Sequence, residues 1–339
     1  MTTPKIPDET SSEELSSYWP DVSLFGVAII WGVNIPIMKI GLDHPDMNGF
    51  VFNAVRLTIS AVVLAAFAFR ERRRGVLPNP RISWKSIIIF AIMISGVYQL
   101  LFLLGIERTT SGNTALIIAT VPVWTALFAR VFLSEKLLLM AWGGLFVALA
   151  GTVIVALQKG DVDASHEHLI GNLTVLGAAL IWSGGTVYSR RLLKIISPTQ
   201  LSATAAVIAL PVHLLFAIGH YESSLPALES DTVWLIILYA GVLSSGLALP
   251  MWNFGVRHAG AAHAAVIQNL IPLVAIIAAW LTRGESVTNA QLWGGTLIVS
   301  GLVIMRFSRS RAAAARASLD NPDPTTKTRS KVSSMQAKP

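Results

Sequence analysis

The 339-residue chain has no cysteine, so it can build no disulfide, no thiolate metal site and no cysteine nucleophile. Charge is scarce too. Asp, Glu, Lys and Arg make up 13% of the residues against 53% hydrophobic ones, about half the ~25% charged share of ordinary soluble domains. The mean hydropathy is +0.60, a poor match to a water-soluble fold of this size. No Gly-x-x-x-x-Gly-Lys-Ser/Thr run is present to cradle phosphates, and no Gly-x-Ser-x-Gly nucleophile turn. His166-Glu167-His168 lacks the i, i+4 spacing of a helical zinc motif. No cofactor or metal is therefore expected. The first twenty residues are polar and acidic (Asp8, Glu9, Glu13, Glu14), unlike a cleavable signal peptide. The net charge of +7 does not point to nucleic acid, because the basic residues lie between apolar runs and in the tail, without interleaved aromatics.

Apolar runs are what the chain has in abundance. A helix crossing ~30 Å of hydrocarbon needs about 20 apolar residues, and ten stretches qualify: 22–41, 49–69, 85–106, 112–133, 138–157, 169–190, 199–219, 232–256, 261–282 and 289–307. The breaks are punctuated by Arg70-Glu71-Arg72-Arg73-Arg74 with Pro78 and Pro80, by a polar run from Lys159 to His168, and by Glu222 to Asp231. Residues 1–21 form a polar N-terminal segment, and residues 308–339 read as a disordered basic tail. With the N-terminus inside, 21 of the 26 Lys and Arg fall on the cytoplasmic side and four on the other, so both termini are expected in the cytoplasm of a multi-pass plasma-membrane protein. A lipid bilayer is the first expected partner.

The chain also repeats itself. Moved forward by 150 residues, Gly105 to Ile154 falls on Gly255 to Ile304. Gly105 meets Gly255, Pro122 meets Pro272, Glu135 meets Glu285, Gly144 meets Gly294 and Gly151 meets Gly301. The expected fold is an all-α integral membrane protein of ten transmembrane helices. Residues 22–157 and 169–307 make two five-helix repeats joined by the polar loop 158–168. An odd number of helices per half inverts the second repeat, the arrangement of alternating-access transporters.

Trp31-Gly32-Val33-Asn34 with Pro36 and Lys39 lies in the first apolar run, and Arg56-Leu57 in the second. Leu104-Gly105-Ile106-Glu107-Arg108-Thr109-Thr110-Ser111-Gly112-Asn113-Thr114-Ala115-Leu116-Ile117 is continued by Pro122 and Ser134-Glu135-Lys136, and a weaker copy follows in Gly255, Pro272, Gly284-Glu285 and Gly294. These motifs resemble the EamA-type members of the drug/metabolite transporter superfamily. The first is similar to the family's opening, Arg56 stands where the family has an arginine in helix 2, and the long segment resembles its strongest signature. The resemblance covers residues 22 to 307. It implies a ten-helix secondary transporter, and an exporter of an amino acid or other small metabolite.

Polar groups inside spans are costly and tend to face the bundle interior, so they are the candidate substrate path. Trp31 and Asn34 share one face of helix 1; the other reading of Asn34 is an amide satisfying backbone near Pro36. Trp182 takes the place of Trp31 in the second half, giving a pair of aromatic walls. Asn113 and His263 coincide under the 150-residue shift, as mouth-side contacts or as polar residues at headgroup level. Gln268 and Asn269 lie one turn before Pro272, where a freed carbonyl and an amide side chain meet; their counterparts Ile118 and Ala119 are apolar, which favours a substrate role. Tyr98, Gln99, Trp252 and Asn253 are weaker candidates, the aromatics being read as interface anchors.

Arg56 is the strong charge well inside a span, without an acidic partner in the helices, and it is expected to hold backbone carbonyls or else an anionic substrate group. The positive inventory of Arg56, Lys39 and His263 suits a zwitterionic or anionic small molecule. Multidrug or hydrophobic-cation efflux on the same fold is the alternative, disfavoured by the lack of the intramembrane Glu that small multidrug-resistance proteins use. An intramembrane enzyme is the rival from another class. If protons are coupled, His213 or His263 is the side chain suited to carry them. The oligomeric state is left open.

Overall fold

The computed structural model describes residues 9–78, 82–109, 111–135, 138–157, 168–283 and 288–320. Lys136, Thr110, Gly284-Glu285 and His166-Glu167 lie outside them. The described residues are helical, with no strand among them. Eight helices are long and apolar enough to cross a bilayer: α1 (Tyr18–Leu42), α2 (Gly49–Arg73), α3 (Trp84–Ile106), α4 (Asn113–Leu133), α6 (Leu169–Leu192), α7 (Pro198–Ile218), α8 (Asp231–Ala259) and α9 (Ala261–Leu281). Between and after them lie two shorter apolar helices, α5 (Leu139–Val155) and α10 (Asn289–Met305). Ten full-length spans were expected at these positions, and these two fall short of that length. Their helical backbone continues to Leu157 and to Asp320, so the first part of the expected disordered tail is helical. At the other end the helix of α1 starts at Glu9, and the polar segment 1–21 is helical from there.

The outside is apolar. Val62, Leu139, Leu215, Leu281 and Trp293 are each more than 60% exposed, a surface only a lipid phase accommodates in such quantity. Trp19, Trp84, Trp280 and Trp293 are exposed near helix ends, as in the aromatic belts of membrane proteins. The main core cluster joins Leu24 of α1, Phe90 of α3, Val121 of α4, Trp182 of α6, Leu201 of α7, Trp252 of α8 and Ile267 of α9.

Small residues set the closest approaches. A Cβ on Gly144 would lie 2.6 Å from the Gly301 carbonyl oxygen, and one on Gly294 would lie 2.6 Å from that of Gly151. The α5–α10 seam is thus made by glycines on both helices. Gly143 meets nothing within 4 Å and Gly295 meets Leu273 of α9, so neither takes part in this seam. Gly105 of α3 packs on Val175 of α6, while Gly255 of α8 packs on Leu24 of α1.

Four helices depart from α geometry where the sequence repeats. α3 widens into a π-helix over Ile92–Val97 and α8 over Tyr239–Leu247. The two include the matched pairs Ser95-Gly96 and Ser245-Gly246. α4 breaks at Thr120 and α9 at Gln268-Asn269, just before Pro122 and Pro272. Proline lacks the N–H that would continue the ladder, so each helix makes a tight turn there: Thr120 N–H donates to Ile117 O at 3.0 Å, and Asn269 N–H to Val266 O at 3.0 Å. Irregular helix inside a bundle is tolerated where protein or a cavity satisfies the backbone, and π turns concentrate at functional sites.

Candidate functional site

Four aromatic side chains from four helices meet at the centre. Trp31 of α1 packs edge-on against Trp182 of α6 at 5.6 Å between ring centroids, and tilted against Trp252 of α8 at 5.5 Å. Trp182 and Trp252 are 5.9 Å apart, and Tyr98 of α3 lies 4.8 Å from Trp182. Trp31 is fixed by its indole N–H, which donates to the Ser244 carbonyl in the π turn of α8 at 2.9 Å. The expected pairing of Trp31 with Trp182 is thus a physical contact. Tyr98 and Trp252 are central and not interface anchors, contrary to the weight the sequence reading gave them. The interface-anchor rule reads position along a span, whereas the burial of these two rings is set by how α1, α3, α6 and α8 pack.

In the interior of the bundle, several buried polar atoms have no protein partner among the described residues, among them Asn34 Oδ1, Trp182 Nε1, Thr125 Oγ1, Thr186 Oγ1, Gln268 Oε1 and Asn269 Nδ2. Asn34 donates only to the Met38 sulfur, at 2.8 Å, so it does not repair backbone near Pro36. The break in α4 satisfies itself differently. Thr120 donates to Ile117 O at 2.6 Å and accepts from the Trp124 indole at 3.0 Å. Its counterpart in α9 holds two amides whose oxygen and nitrogen face no partner. A buried donor or acceptor left unpaired costs ~1–3 kcal/mol, which is why such groups mark places where a ligand or water is received.

The remaining candidates have protein partners. Asn253 donates to Ser202 Oγ of α7 at 2.9 Å and serves packing. His263 is bonded to Asp21 Oδ1 at 2.8 Å, joining the starts of α9 and α1. Asn113 donates to Thr109 Oγ1 at 3.2 Å, and Thr109 donates to Asn172 Oδ1 at 2.5 Å, joining the start of α4 to α6. These two latches sit at opposite ends of the bundle and use matched residues. Asn113 and His263 are 150 apart, and Asp21 and Asn172 are 151 apart, the offset that also aligns Trp31 with Trp182. Asp21 and Asn172 were missed because Asp21 was counted with the N-terminal segment. The 151-residue offset was the signal. Glu135 faces Arg190 at 3.6 Å beside Gly260, adding an ion pair at the Asp21–His263 end.

Arg56 departs from its expectation. It holds side chains, not backbone carbonyls. Its Nε and Nη2 donate to Asn53 Oδ1 at 3.0 and 2.7 Å, Nη1 to Ser245 Oγ at 2.8 Å, and Nη2 to Gln99 Oε1 at 3.0 Å. Asn53 continues to His213 Nδ1 at 3.2 Å, and His213 Nε2 meets the Ser95 carbonyl at 2.6 Å. Gly241 lets α8 press onto α2 here, since a Cβ on it would lie 2.8 Å from Arg56 O. This network adjoins the aromatic cluster through Tyr98-Gln99 and Ser244-Ser245. Lys39 is exposed. A separate surface groove of about 320 Å³ lies between Arg70, Arg74, Thr199 and Pro250.

A helical bundle with an apolar exterior, broken helices and a central polar-aromatic cluster defines a multi-pass membrane protein of the transporter class. The chain belongs to the EamA-like transporter family, which matches over residues 18–157 and 169–307. It is 26% identical over 292 residues to the uncharacterized transporter YoaV of Bacillus subtilis, covering 86% of this chain and 97% of that protein. It is 27% identical over 286 residues to a probable terminal-alkyne amino-acid exporter of Streptantibioticus cattleyicolor, covering 82% of this chain and 90% of the other. With a probable amino-acid metabolite efflux pump of Salmonella typhimurium it shares 23% identity over 301 residues, 86% and 96% of the two chains. A crystal structure 21% identical in sequence superposes with a TM-score of 0.72 over 86% of this chain and 98% of its own, a likeness of fold. The family and these relatives are transporters.

Proposed function

We propose that the protein exports a small metabolite bearing a carboxylate, an amino acid or a similar zwitterion or anion, across the plasma membrane by alternating access. The observation that carries this is the central cluster of Trp31, Tyr98, Trp182 and Trp252, in which the Trp182 indole N–H has no protein partner among the described residues, in a bundle that also buries unpartnered amide atoms of Asn34, Gln268 and Asn269 and, beside Tyr98 through Gln99, the charge of Arg56. Aromatic faces receive an apolar side chain or an ammonium group. The amides of Asn34, Gln268 and Asn269 receive the polar end. Two of the relatives carry names of amino-acid exporters, which supports the class of substrate and the direction.

On this reading α5 and α10 also cross the membrane, giving ten helices as two inverted five-helix repeats. The reciprocal seam supports it: Gly144 meets Gly301 and Gly151 meets Gly294, so each repeat's first glycine faces the other's second, the self-complementary pattern of a two-fold axis. The Gly105–Val175 and Gly255–Leu24 contacts match in the same way. The distribution of Lys and Arg supports cytoplasmic termini, and the Asp21–His263 latch is then the inner one. Export is tested in sealed vesicles preloaded with radiolabelled amino acids. Release should be faster than from protein-free vesicles and should drop at least ~10-fold in Trp182→Ala, since that truncation removes both ring contacts and a buried donor. Release unaltered by Trp182→Ala places transport elsewhere in the molecule.

A further inference from the structure

Arg56 is 9% exposed, and all its hydrogen-bond acceptors are neutral: Asn53, Ser245 and Gln99. Among the described residues no carboxylate lies within ion-pair distance of it. A buried charge without a counter-ion is costly, and its neighbours run in one hydrogen-bond sense. A carbonyl only accepts, so His213 Nε2, facing Ser95 O, carries the hydrogen. Nδ1 therefore accepts from the Asn53 amide nitrogen. Asn53 in turn points its oxygen at Arg56, because guanidinium nitrogens only donate. Only a neutral His213 fits this line. A proton on Nδ1 would set two donors against each other unless Asn53 turns its amide over, and the turned amide would aim its NH₂ at the guanidinium.

A carboxylate on the Nε/Nη2 edge does the complementary thing. Two oxygens replace the single oxygen of Asn53 in the bidentate geometry that arginine favours. The displaced Asn53 oxygen is free to turn to His213, which then needs a proton on Nδ1. The negative charge also offsets a second cation in a medium of low dielectric. We propose that Arg56 is the carboxylate-binding residue of the central site, held in reserve by Asn53, and that His213 takes up one proton when a carboxylate displaces that amide. The proton comes from water at the open mouth and returns to water when the carboxylate leaves. The charged or titratable groups near His213 are Arg56 from α2 and, beyond it, Tyr98 from α3; α8 contributes the Ser245 hydroxyl. The inference rests on the reading of the aromatic centre as the substrate site, which Gln99 and Ser245 connect to Arg56.

Titration calorimetry of the full chain in detergent tests it, with L-phenylalanine and L-phenylalaninamide as probes in two buffers of different ionisation enthalpy. L-Phenylalanine should bind with uptake of one proton, and the amide, lacking the carboxylate, should bind at least ~10-fold more weakly. His213→Gln, which keeps a donor for Ser95, should bind L-phenylalanine without proton uptake. Asn53→Asp puts a resident carboxylate on the same edge, so the protein should fold and binding should vanish. Equal binding of acid and amide, or wild-type binding in Asn53→Asp, overturns the role of Arg56 and leaves the transporter reading standing. Proton uptake that persists in His213→Gln overturns the role of His213. A ligand-free readout decides if neither probe binds: in ¹⁵N-histidine-labelled protein at neutral pH, His213 should be the Nε2–H tautomer in wild type and an imidazolium in Asn53→Asp. A neutral His213 in that variant overturns the relay, whereas release of no amino acid from vesicles overturns the transporter reading instead.

Discussion

At the scale of single residues, what separates site from scaffold is whether a buried polar atom has a protein partner. Gln268 and Asn269 expose unpaired atoms to the interior, while Asn253 is bonded to Ser202. Gln268→Ala and Asn269→Ala remove groups that make no side-chain bond in the empty protein, so thermal stability should change by less than ~1 kcal/mol while export falls at least ~10-fold. Asn253→Ala should do the reverse, losing ~1 kcal/mol or more of stability with export per folded molecule retained. Melting and export measured on the three variants check both directions. Trp182→Phe is subtler. It keeps the ring packing and deletes an N–H without a partner, so the fold should be as stable as wild type and substrate affinity lower by about fivefold, the worth of one hydrogen bond. Unchanged affinity would make Trp182 a packing residue.

Part of the candidate site was legible in the residues. Trp31, Asn34, Trp182, Gln268 and Asn269 stand out because polar and indole groups are costly inside a span, and the structure brings Trp31 and Trp182 into contact. Tyr98 and Trp252 are weaker candidates in the sequence because aromatics near span ends are commonly interface anchors, while their packing against Trp31 and Trp182 is set by tertiary structure. The more distant partners of Arg56 were unreadable for another reason. Arg56 to Ser245 spans 189 positions and Arg56 to Gln99 spans 43, and no local pattern encodes contacts so distant, whereas Asn53 lies three residues away on the same helix. His213 itself sat in plain view as a titratable group in an apolar helix, without a visible partner.

At the scale of elements, glycine and proline decide where helices meet and where they break. The α5–α10 seam has no room for a side chain at Gly144 or Gly301. Gly144→Val should therefore separate the helices and destabilise the protein by ~1–3 kcal/mol, the usual cost of overpacking. Gly143→Ala next to it should be neutral or slightly stabilising, since nothing lies within 4 Å of the added methyl. Comparable melting temperatures for the two would contradict the seam. The repeat was legible at this scale, since glycines and prolines recur at one offset. The shortness of α5 and α10 was not, because hydropathy reads composition and the ends of helices follow tertiary packing.

At the scale of the whole molecule, the two latches lie at opposite ends of the bundle, and on the proposed orientation they are the inner and outer mouths on either side of the aromatic centre. Asp21–His263 closes one with a pair that can carry charge, and Thr109 with Asn113 and Asn172 closes the other with neutral hydrogen bonds. Alternating access requires that each break while the other holds. Asp21→Asn should weaken the inner latch and raise inner-side accessibility of the centre, whereas Asn172→Ala should raise it from outside. The absence of cysteine makes this measurable, because any introduced thiol is the only one present.

The most direct measurement is the labelling of Asn34→Cys, a position 8% exposed in this state, by a membrane-impermeant thiol reagent in sealed vesicles of both orientations. The account predicts labelling from both sides, slowed by saturating substrate, with Asp21→Asn favouring the inner side and Asn172→Ala the outer. Labelling from one side alone in every variant, or none at all, would contradict a centre that is reached alternately from the two mouths.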